Sequence, residues 1–304
     1  MTAEFTNMFR AQVPLMQIVS HEWERVYGEI VISKRQSAQK RKYLRWTHAD
    51  GLMLFDDETG LWLRGDAIDD EELKEQHQSN PLQLLQWYVG GETTSQTTGY
   101  LYPSILHLED FHPYLEETHV KRNEIIWWLR QAARMHSVHQ GAEERTIILG
   151  NTSPCFPQEL ENELPTITLG PPSLKHLRSV FSAVVRDFKL KGEDYQNSDR
   201  ILQAALGLTT MEAELAFKQA IASNGKLTEN EIPLINAAKK QIIDRNGILE
   251  YFEPGEPEKV CGLEVMESWF RKRRSLFDPN IAEKLGYQSP KGALLLGVPG
   301  CGKS

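Results

Sequence analysis

The sequence predicts a mixed α/β fold with a mostly parallel sheet, followed by a helical domain and the start of a second α/β unit. Short apolar strands alternate with helix-period segments up to Pro172, four helical segments follow, and an apolar run precedes a glycine-rich motif ending at Ser304. Alternating strands and helices favour a parallel sheet with helices on both faces. The segments that we expect are an α/β domain at 1–172, a helical domain at 173–252, a linker at 253–261 and the start of the second unit at 262–304.

The elements of the first domain follow from hydrophobic periodicity and helix-start signals. A strand is predicted at 14–20 and a helix from Glu22, whereas the basic stretch 33–42 is expected to be a solvated loop. Asn80 is a suitable N-cap with Pro81 in the first helical position. Apolar residues at helical spacing predict a further helix at 121–136. The remaining strands are predicted at 43–47, 52–55, 61–64, 104–108, 146–149 and 166–169.

The character of the chain changes after Pro172. Helices are predicted at 173–189, 199–206, 210–223 and 228–245. Thr210 is expected to cap the third of these helices. The stretch 252–259 contains two prolines and a glycine, which is typical of a linker.

The composition is that of an ordinary globular protein. Of 304 residues, 40% are hydrophobic and 25% are charged, and the net charge is -8. Because the net charge is negative, the chain lacks the excess of basic residues typical of nucleic-acid-binding proteins, and we expect no specific nucleic-acid partner. Three widely spaced cysteines argue against a disulfide framework. No apolar run approaches the ~18 residues of a transmembrane helix, so we expect no membrane span.

The last eight residues match the phosphate-loop pattern G-x-x-x-x-G-K-[ST]. A buried parallel strand is predicted at 293–296, which is the context that this motif needs and which disfavours a chance glycine turn. Lys303 is expected to contact the β- and γ-phosphates of ATP, and the Ser304 hydroxyl to bind Mg²⁺. The nucleotide-binding residues are Gly297, Val298, Pro299, Gly300, Cys301, Gly302, Lys303 and Ser304.

The helix that normally follows this motif, the Mg²⁺-binding carboxylates and a catalytic glutamate do not occur after Ser304. We therefore interpret the sequence as an N-terminal fragment that holds no catalytic residues of its own. The isolated chain is expected not to hydrolyse ATP.

Around the motif, the chain resembles the AAA ATPases. The resemblance is carried by 262–277 and by Pro290-Lys291-Gly292 before the apolar strand. The rest of the chain is similar to the N-terminal half of the divergent AAA proteins of plastids and cyanobacteria, the hypothetical chloroplast reading frame forty-six family. The segments that carry this second resemblance are 108–115, 230–233 and 239–243.

That resemblance implies an ATPase that self-associates into a ring and resides in the cyanobacterial cytoplasm or the plastid stroma. It also implies that the first α/β domain is a degenerate AAA module without a phosphate loop. Ser20 to Arg25 follow the first strand with two acids and no glycine, and carboxylates there would repel phosphate. Glu109 and Asp110 end a strand where a Walker-B pair would lie, in reversed order, so we interpret them as a vestigial acidic pair. Asn151 lies at the sensor position, where a turn-forming role is favoured.

Two further candidate sites and two function classes remain open. Histidines at 107, 112, 136 and 139 suggest a metal site, but structural zinc sites have tighter clusters. The basic run 271–274 is interpreted as a solvated helix end, with phosphate or nucleic-acid binding as the alternative. The leading hypothesis is an AAA ATPase that couples ATP hydrolysis to remodelling of an unknown protein partner. The alternative is a protein-binding adaptor without nucleotide turnover. A strand ending in Asp-Glu about fifty residues after Ser304 would favour the ATPase.

Overall fold

The computed structural model describes residues 2–35, 40–77, 80–90, 100, 102–138, 145–245, 264–277, 281–282 and 286. The chain divides into two compact units, Met1–Ile242 and Ile243–Ser304. The predicted linker at 253–261, the strand at 293–296 and the phosphate loop at 297–304 lie outside the described residues and stay predictions.

The first unit is built on one seven-stranded sheet. Its strands are β1 (Leu15–Val19), β2 (Lys42–Thr47), β3 (Gly51–Phe55), β4 (Trp62–Arg64), β5 (Ser104–Glu109), β6 (Arg145–Asn151) and β7 (Thr166–Thr168). The strand order is β4-β3-β2-β5-β6-β1-β7. Five strands, β2, β5, β6, β1 and β7, are parallel. Strand β3 pairs antiparallel with β2, and β4 pairs antiparallel with β3 at the edge of the sheet. The carboxyl ends of the parallel strands therefore meet at one edge of the sheet.

Helices cover both faces of this sheet. They are α1 (Thr2–Arg10), α2 (Trp23–Arg35), α3 (Glu71–Glu75), α4 (Pro81–Val89) and α5 (Arg122–Val138). Val26 and Ile30 of α2 share a buried cluster with Ile105 of β5. The next residue of β5, Leu106, belongs to the second cluster, together with residues of α4 and α5. Alternate residues of one strand thus enter opposite layers, as expected for a parallel sheet buried on both faces.

Four helices follow the sheet and have an apolar core of their own. They are α6 (Leu174–Asp187), α7 (Asp199–Ala204), α8 (Thr210–Asn224) and α9 (Ile232–Arg245). The predicted cap of α8 was wrong by one residue: Thr209 is the N-cap in a capping box with Glu212, and Thr210 is the first helical residue. The predicted start of α4 is confirmed, because Asn80 caps the helix and Pro81 is its first residue.

Residues 36–39 of the basic stretch 33–42 lie outside the described residues, and the described residues on either side differ from the solvated loop that the sequence predicts. Helix α2 continues to Arg35, and Lys34 is buried with its Nζ 2.5 Å from the Asp57 carboxylate. Arg41 is buried as well. Long basic side chains can bury their aliphatic stems while their charged ends reach a partner, which a local composition argument misses. Helix α1 was not predicted.

The second unit contains one described helix, α10 (Glu264–Arg273), which a 3-10 turn follows at Arg274–Phe277. Arg271 pairs with Glu267 one turn earlier, and the Arg273 guanidinium lies 4.0 Å from the centre of the Trp269 ring. Local contacts of this kind fit the interpretation of a solvated basic helix end. Across both units, none of the helices that the structure describes has the length and apolar character needed to cross a membrane.

Candidate functional site

The connection between β1 and α2 is the place where the resemblance puts a phosphate loop. It has three residues, Ser20, His21 and Glu22. The Ser20 N–H donates to the Asn151 carbonyl at 3.0 Å, and the Glu22 N–H donates to Ser20 Oγ at 2.9 Å. A phosphate loop takes eight residues with glycines at fixed positions. A three-residue turn without glycine, closed by its own hydrogen bonds, does not fit a nucleotide phosphate.

The Glu22 carboxylate instead joins the sheet-containing part of the unit to the helices after it. One carboxylate oxygen pairs with Arg25 in the first turn of α2, and the other accepts the Thr210 N–H at 2.5 Å. Arg25 also donates to the Gly170 carbonyl at 3.0 Å. Thr210 begins α8, and the positive end of a helix favours an anion. A carboxylate of the chain itself therefore fills an anion site at the start of α8.

Glu109, at the carboxyl end of β5, is enclosed by its neighbours. It accepts a hydrogen bond from the Tyr27 hydroxyl, and Arg45 Nε lies 3.2 Å from the same carboxylate oxygen. Burial raises the pKa of Glu109, although the Tyr27 hydrogen bond and the Arg45 charge oppose that rise. Burial also raises the pKa of Tyr27. The Glu109 carboxylate thus connects α2 and β2 through its contacts with Tyr27 and Arg45.

Asp110 has a different environment from Glu109. It is exposed and lies just beyond β5, with a φ of +50° in the left-handed region. In a Walker-B pair the first carboxylate orients Mg²⁺-bound water and the second positions the attacking water, so both face one nucleotide site. The environments of Glu109 and Asp110 do not resemble that arrangement. Among the described residues, no three His, Cys, Asp or Glu side chains form a group suited to a metal ion.

Asn151 is the last residue of β6 and is completely buried. Its Nδ2 donates to Gln17 Oε1 at 2.9 Å, and Gln17 Nε2 donates to Thr166 Oγ1 at 2.9 Å. Gln17 Oε1 also accepts the Cys155 N–H at 2.9 Å. The predicted turn-forming role was wrong, because the Asn151 side chain at the end of β6 binds Gln17 in the middle of β1, which in turn contacts the first residue of β7. Sequence reasoning missed Gln17, although a glutamine inside an apolar strand is a usable signal.

His107 is a buried core residue. Its Nδ1 lies 3.1 Å from the Tyr43 hydroxyl, and the Trp23 ring packs against it at 5.7 Å between ring centres. Burial lowers the pKa of His107 to about 3, with a smaller contribution from the Arg45 charge, so the ring is neutral. A Cβ added to Gly150 would lie 2.4 Å from His107 Nε2 and 3.1 Å from the Trp23 ring. The space between α2 and the sheet is therefore filled by side chains.

The four candidate metal ligands are not brought together in the described residues. His107 is enclosed in the core, and His112 lies in a 3-10 turn after β5. The His136 side chain and His139 lie outside the described residues.

A cavity lies at the carboxyl edge of the sheet, beside the end of β2. It has a volume of about 590 Å³. Its lining includes Trp46, His48, His77, Leu82, Tyr114 and Ile125. We call this space the edge cavity. Neither Glu22 nor Asn151 lines it, and no sequence motif indicated it.

Comparison with known proteins identifies a related family. The model of the SpoVK-like AAA ATPase N-terminal domain matches residues 1–169, and the model of the second domain of the same family matches residues 175–246. A solved structure of Caenorhabditis elegans PCH-2 shares 10% identity at a TM-score of 0.44, over 80% of this chain and 68% of that one.

Two similar curated proteins are both described as uncharacterized AAA domain-containing protein ycf46. The one from Trieres chinensis is 25% identical over 303 residues, which is 99% of this chain and 54% of its own length. The one from Guillardia theta is 25% identical over 302 residues, 99% of this chain and 53% of its own. The chain thus spans about half the length of the curated relatives that it matches.

Proposed function

Because the chain belongs to the SpoVK-like AAA ATPase family, we propose that it is the N-terminal part of an ATPase with one working nucleotide site. In this proposal ATP binds at 297–304, and the unit Met1–Ile242 works without nucleotide. The full-length protein couples hydrolysis to remodelling of a protein partner and self-associates into a ring. Its location is the plastid stroma or the cyanobacterial cytoplasm, which the algal relatives support.

The observation that carries this division of roles is the position of the Glu22 carboxylate. In the connection where a nucleotide phosphate would bind, Glu22 contacts Arg25 and the start of α8. A phosphate in the same place would meet this negative charge at close range, and like charges repel most strongly where water is scarce. In this proposal, the contacts of Glu22 with Arg25 and Thr210 take the place of contacts to a nucleotide phosphate.

The intact P-loop motif supports the other half of the proposal. Lys303 would neutralise phosphate charge, the Ser304 hydroxyl would hold Mg²⁺, and the glycines at 297, 300 and 302 would let backbone N–H groups approach the phosphates. Glu109 and Asp110 would have no part in hydrolysis. Their separate environments support the vestigial role that we assign to them.

Steady-state phosphate release by the full-length protein with Mg²⁺ and ATP tests this function. We expect turnover in the unchanged protein and none in Lys303→Ala, whereas Glu109→Gln should retain it. Turnover that survives Lys303→Ala but not Glu109→Gln would place the working site in the first unit. No turnover in the unchanged full-length protein, even with a bound partner, would favour the adaptor function instead.

A further inference from the structure

The edge cavity is built from three segments that meet at the carboxyl edge of the sheet. These are the turn between β2 and β3, the start of α4, and the segment between β5 and α5. Its volume of about 590 Å³ lies within the ~300–1,000 Å³ of pockets that take small organic groups. In open α/β sheets, this edge is also where ligands usually bind.

Aromatic rings form much of its wall. The Tyr114 ring lies 5.8 Å from the Trp46 ring, 5.2 Å from the His119 ring and 6.2 Å from the His48 ring, measured between ring centres. A contact of 2.6 Å between the Tyr114 hydroxyl and His48 Nδ1 holds this wall in place. Further apolar lining comes from Pro81, Leu82 and Ile125. Such a wall offers ring contacts and dispersion to a flat apolar group.

The two lining residues Asp50 and Lys121 each have an ion-pair partner within the chain. Lys121 Nζ lies 2.7 Å from the Glu124 carboxylate, and Asp50 lies 3.2 Å from Arg64 Nη1. Both pairs are partly exposed, whereas Trp46 is buried, so the charges surround an aromatic interior. A site for a nucleotide or another anion needs positive charge that is available to the ligand. The paired charges here favour a neutral occupant.

We propose that the edge cavity receives a neutral aromatic side chain, of Trp, Tyr or Phe, presented by a partner polypeptide. Protein interfaces concentrate their binding energy in aromatic anchors that enter desolvated pockets with a polar rim. This inference rests on the proposed function, because it assigns a partner-recognition surface to the unit that works without nucleotide.

The test uses saturation-transfer NMR on the full-length protein with N-acetyl-L-tryptophanamide as the probe. N-acetyl-L-leucinamide serves as the apolar comparison without a ring. We expect the tryptophan amide to bind with a Kd on the order of millimolar, as a fragment of this size does in a fitting pocket. The leucine amide should bind at least about fivefold more weakly, because it makes no ring contacts.

Two lining variants and one matched control locate the probe. Leu82→Trp should place a larger side chain in the cavity and reduce the space for the probe, and Tyr114→Leu should remove a ring from its wall while keeping an apolar side chain. Each should weaken probe binding by at least about fivefold. Trp127→Leu is the control, since Trp127 lies on α5 but is 50% exposed and does not line the cavity. It should leave probe binding unchanged.

The inference is overturned by equal binding of the two amides, by no binding of the tryptophan amide to the unchanged protein, or by equal loss in Trp127→Leu. ATP titration of the unchanged protein and of Lys303→Ala reports on the proposed function separately. Probe binding that behaves as expected while ATP binding persists in Lys303→Ala would reject the assigned nucleotide site and keep the edge cavity. If Leu82→Trp does not fold, Tyr114→Leu decides the result.

Discussion

Replacing Glu22 by glutamine should loosen α8 from the sheet-containing part of the unit. The substitution keeps the size of the side chain but removes the charge that faces Arg25 and the Thr210 N–H. A hydrogen bond to a charged group contributes about 1.5–3 kcal/mol, against about 0.5–1.5 kcal/mol for a neutral one. The charge at the helix N-terminus adds about 0.3–1 kcal/mol. Since glutamine can still accept one hydrogen bond, we expect a loss of about 2 kcal/mol.

Hydrogen exchange of the full chain measures this loss directly. The Thr210 amide is the donor to Glu22, so its protection depends on the contact. A loss of about 2 kcal/mol corresponds to roughly 30-fold faster exchange in the first turn of α8. Glu24→Gln is the matched control, because Glu24 is an exposed acid in the first turn of α2, two residues after Glu22. Exchange in Glu22→Gln that stays within about threefold of the control would refute the contact between Glu22 and the start of α8.

Three further predictions concern α2 and its packing against the sheet. Because the pKa of His107 is about 3 in the folded chain, the unfolded chain binds a proton at this residue below about pH 6.5 and the folded chain does not. The free energy of unfolding should therefore fall by about 2 kcal/mol from about pH 7.5 to pH 5. Denaturant-dependent hydrogen exchange of β5 measures this loss, and His107→Gln should remove most of it. Gly150→Ala should destabilise the unit by about 1–3 kcal/mol, because the new Cβ meets His107 and Trp23. Gly28→Ala has open space around its added Cβ, and it should raise helix stability by about 0.5–1 kcal/mol in the same measurement.

Local patterns predicted much of the fold. Apolar runs located the parallel strands, and Asn80-Pro81 located the start of α4. Each of these signals lies in a few adjacent residues, which determine the burial of a strand or the capping of a helix. The lack of glycine after β1 predicted that no phosphate loop forms there. This prediction was possible because it depends only on a few adjacent residues. The bounds of helices were less accurate, and the cap of α8 moved from Thr210 to Thr209.

Contacts between distant residues could not be predicted in the same way. Glu22 and Thr210 are 188 positions apart, and nothing near either residue indicates the other. Lys34 is buried because Asp57 lies beside it in space, although composition alone placed it in solvent. The edge cavity combines three segments around β2, α4 and β5, so it depends on strand order rather than on any motif. The assignment of 297–304 to ATP remains a prediction from its motif.

In the proposed function, nucleotide binds at 297–304 and not at the connection between β1 and α2, where the Glu22 carboxylate lies. Titration of the full-length protein with a non-hydrolysable ATP analogue and Mg²⁺ tests this proposal most directly. We predict one bound nucleotide per chain, with affinity reduced at least about tenfold in Lys303→Ala through loss of a charge-assisted contact. Glu109→Gln and Asp110→Asn should leave the titration unchanged. Two nucleotides per chain, or binding that persists in Lys303→Ala and disappears in Glu109→Gln, would contradict the account.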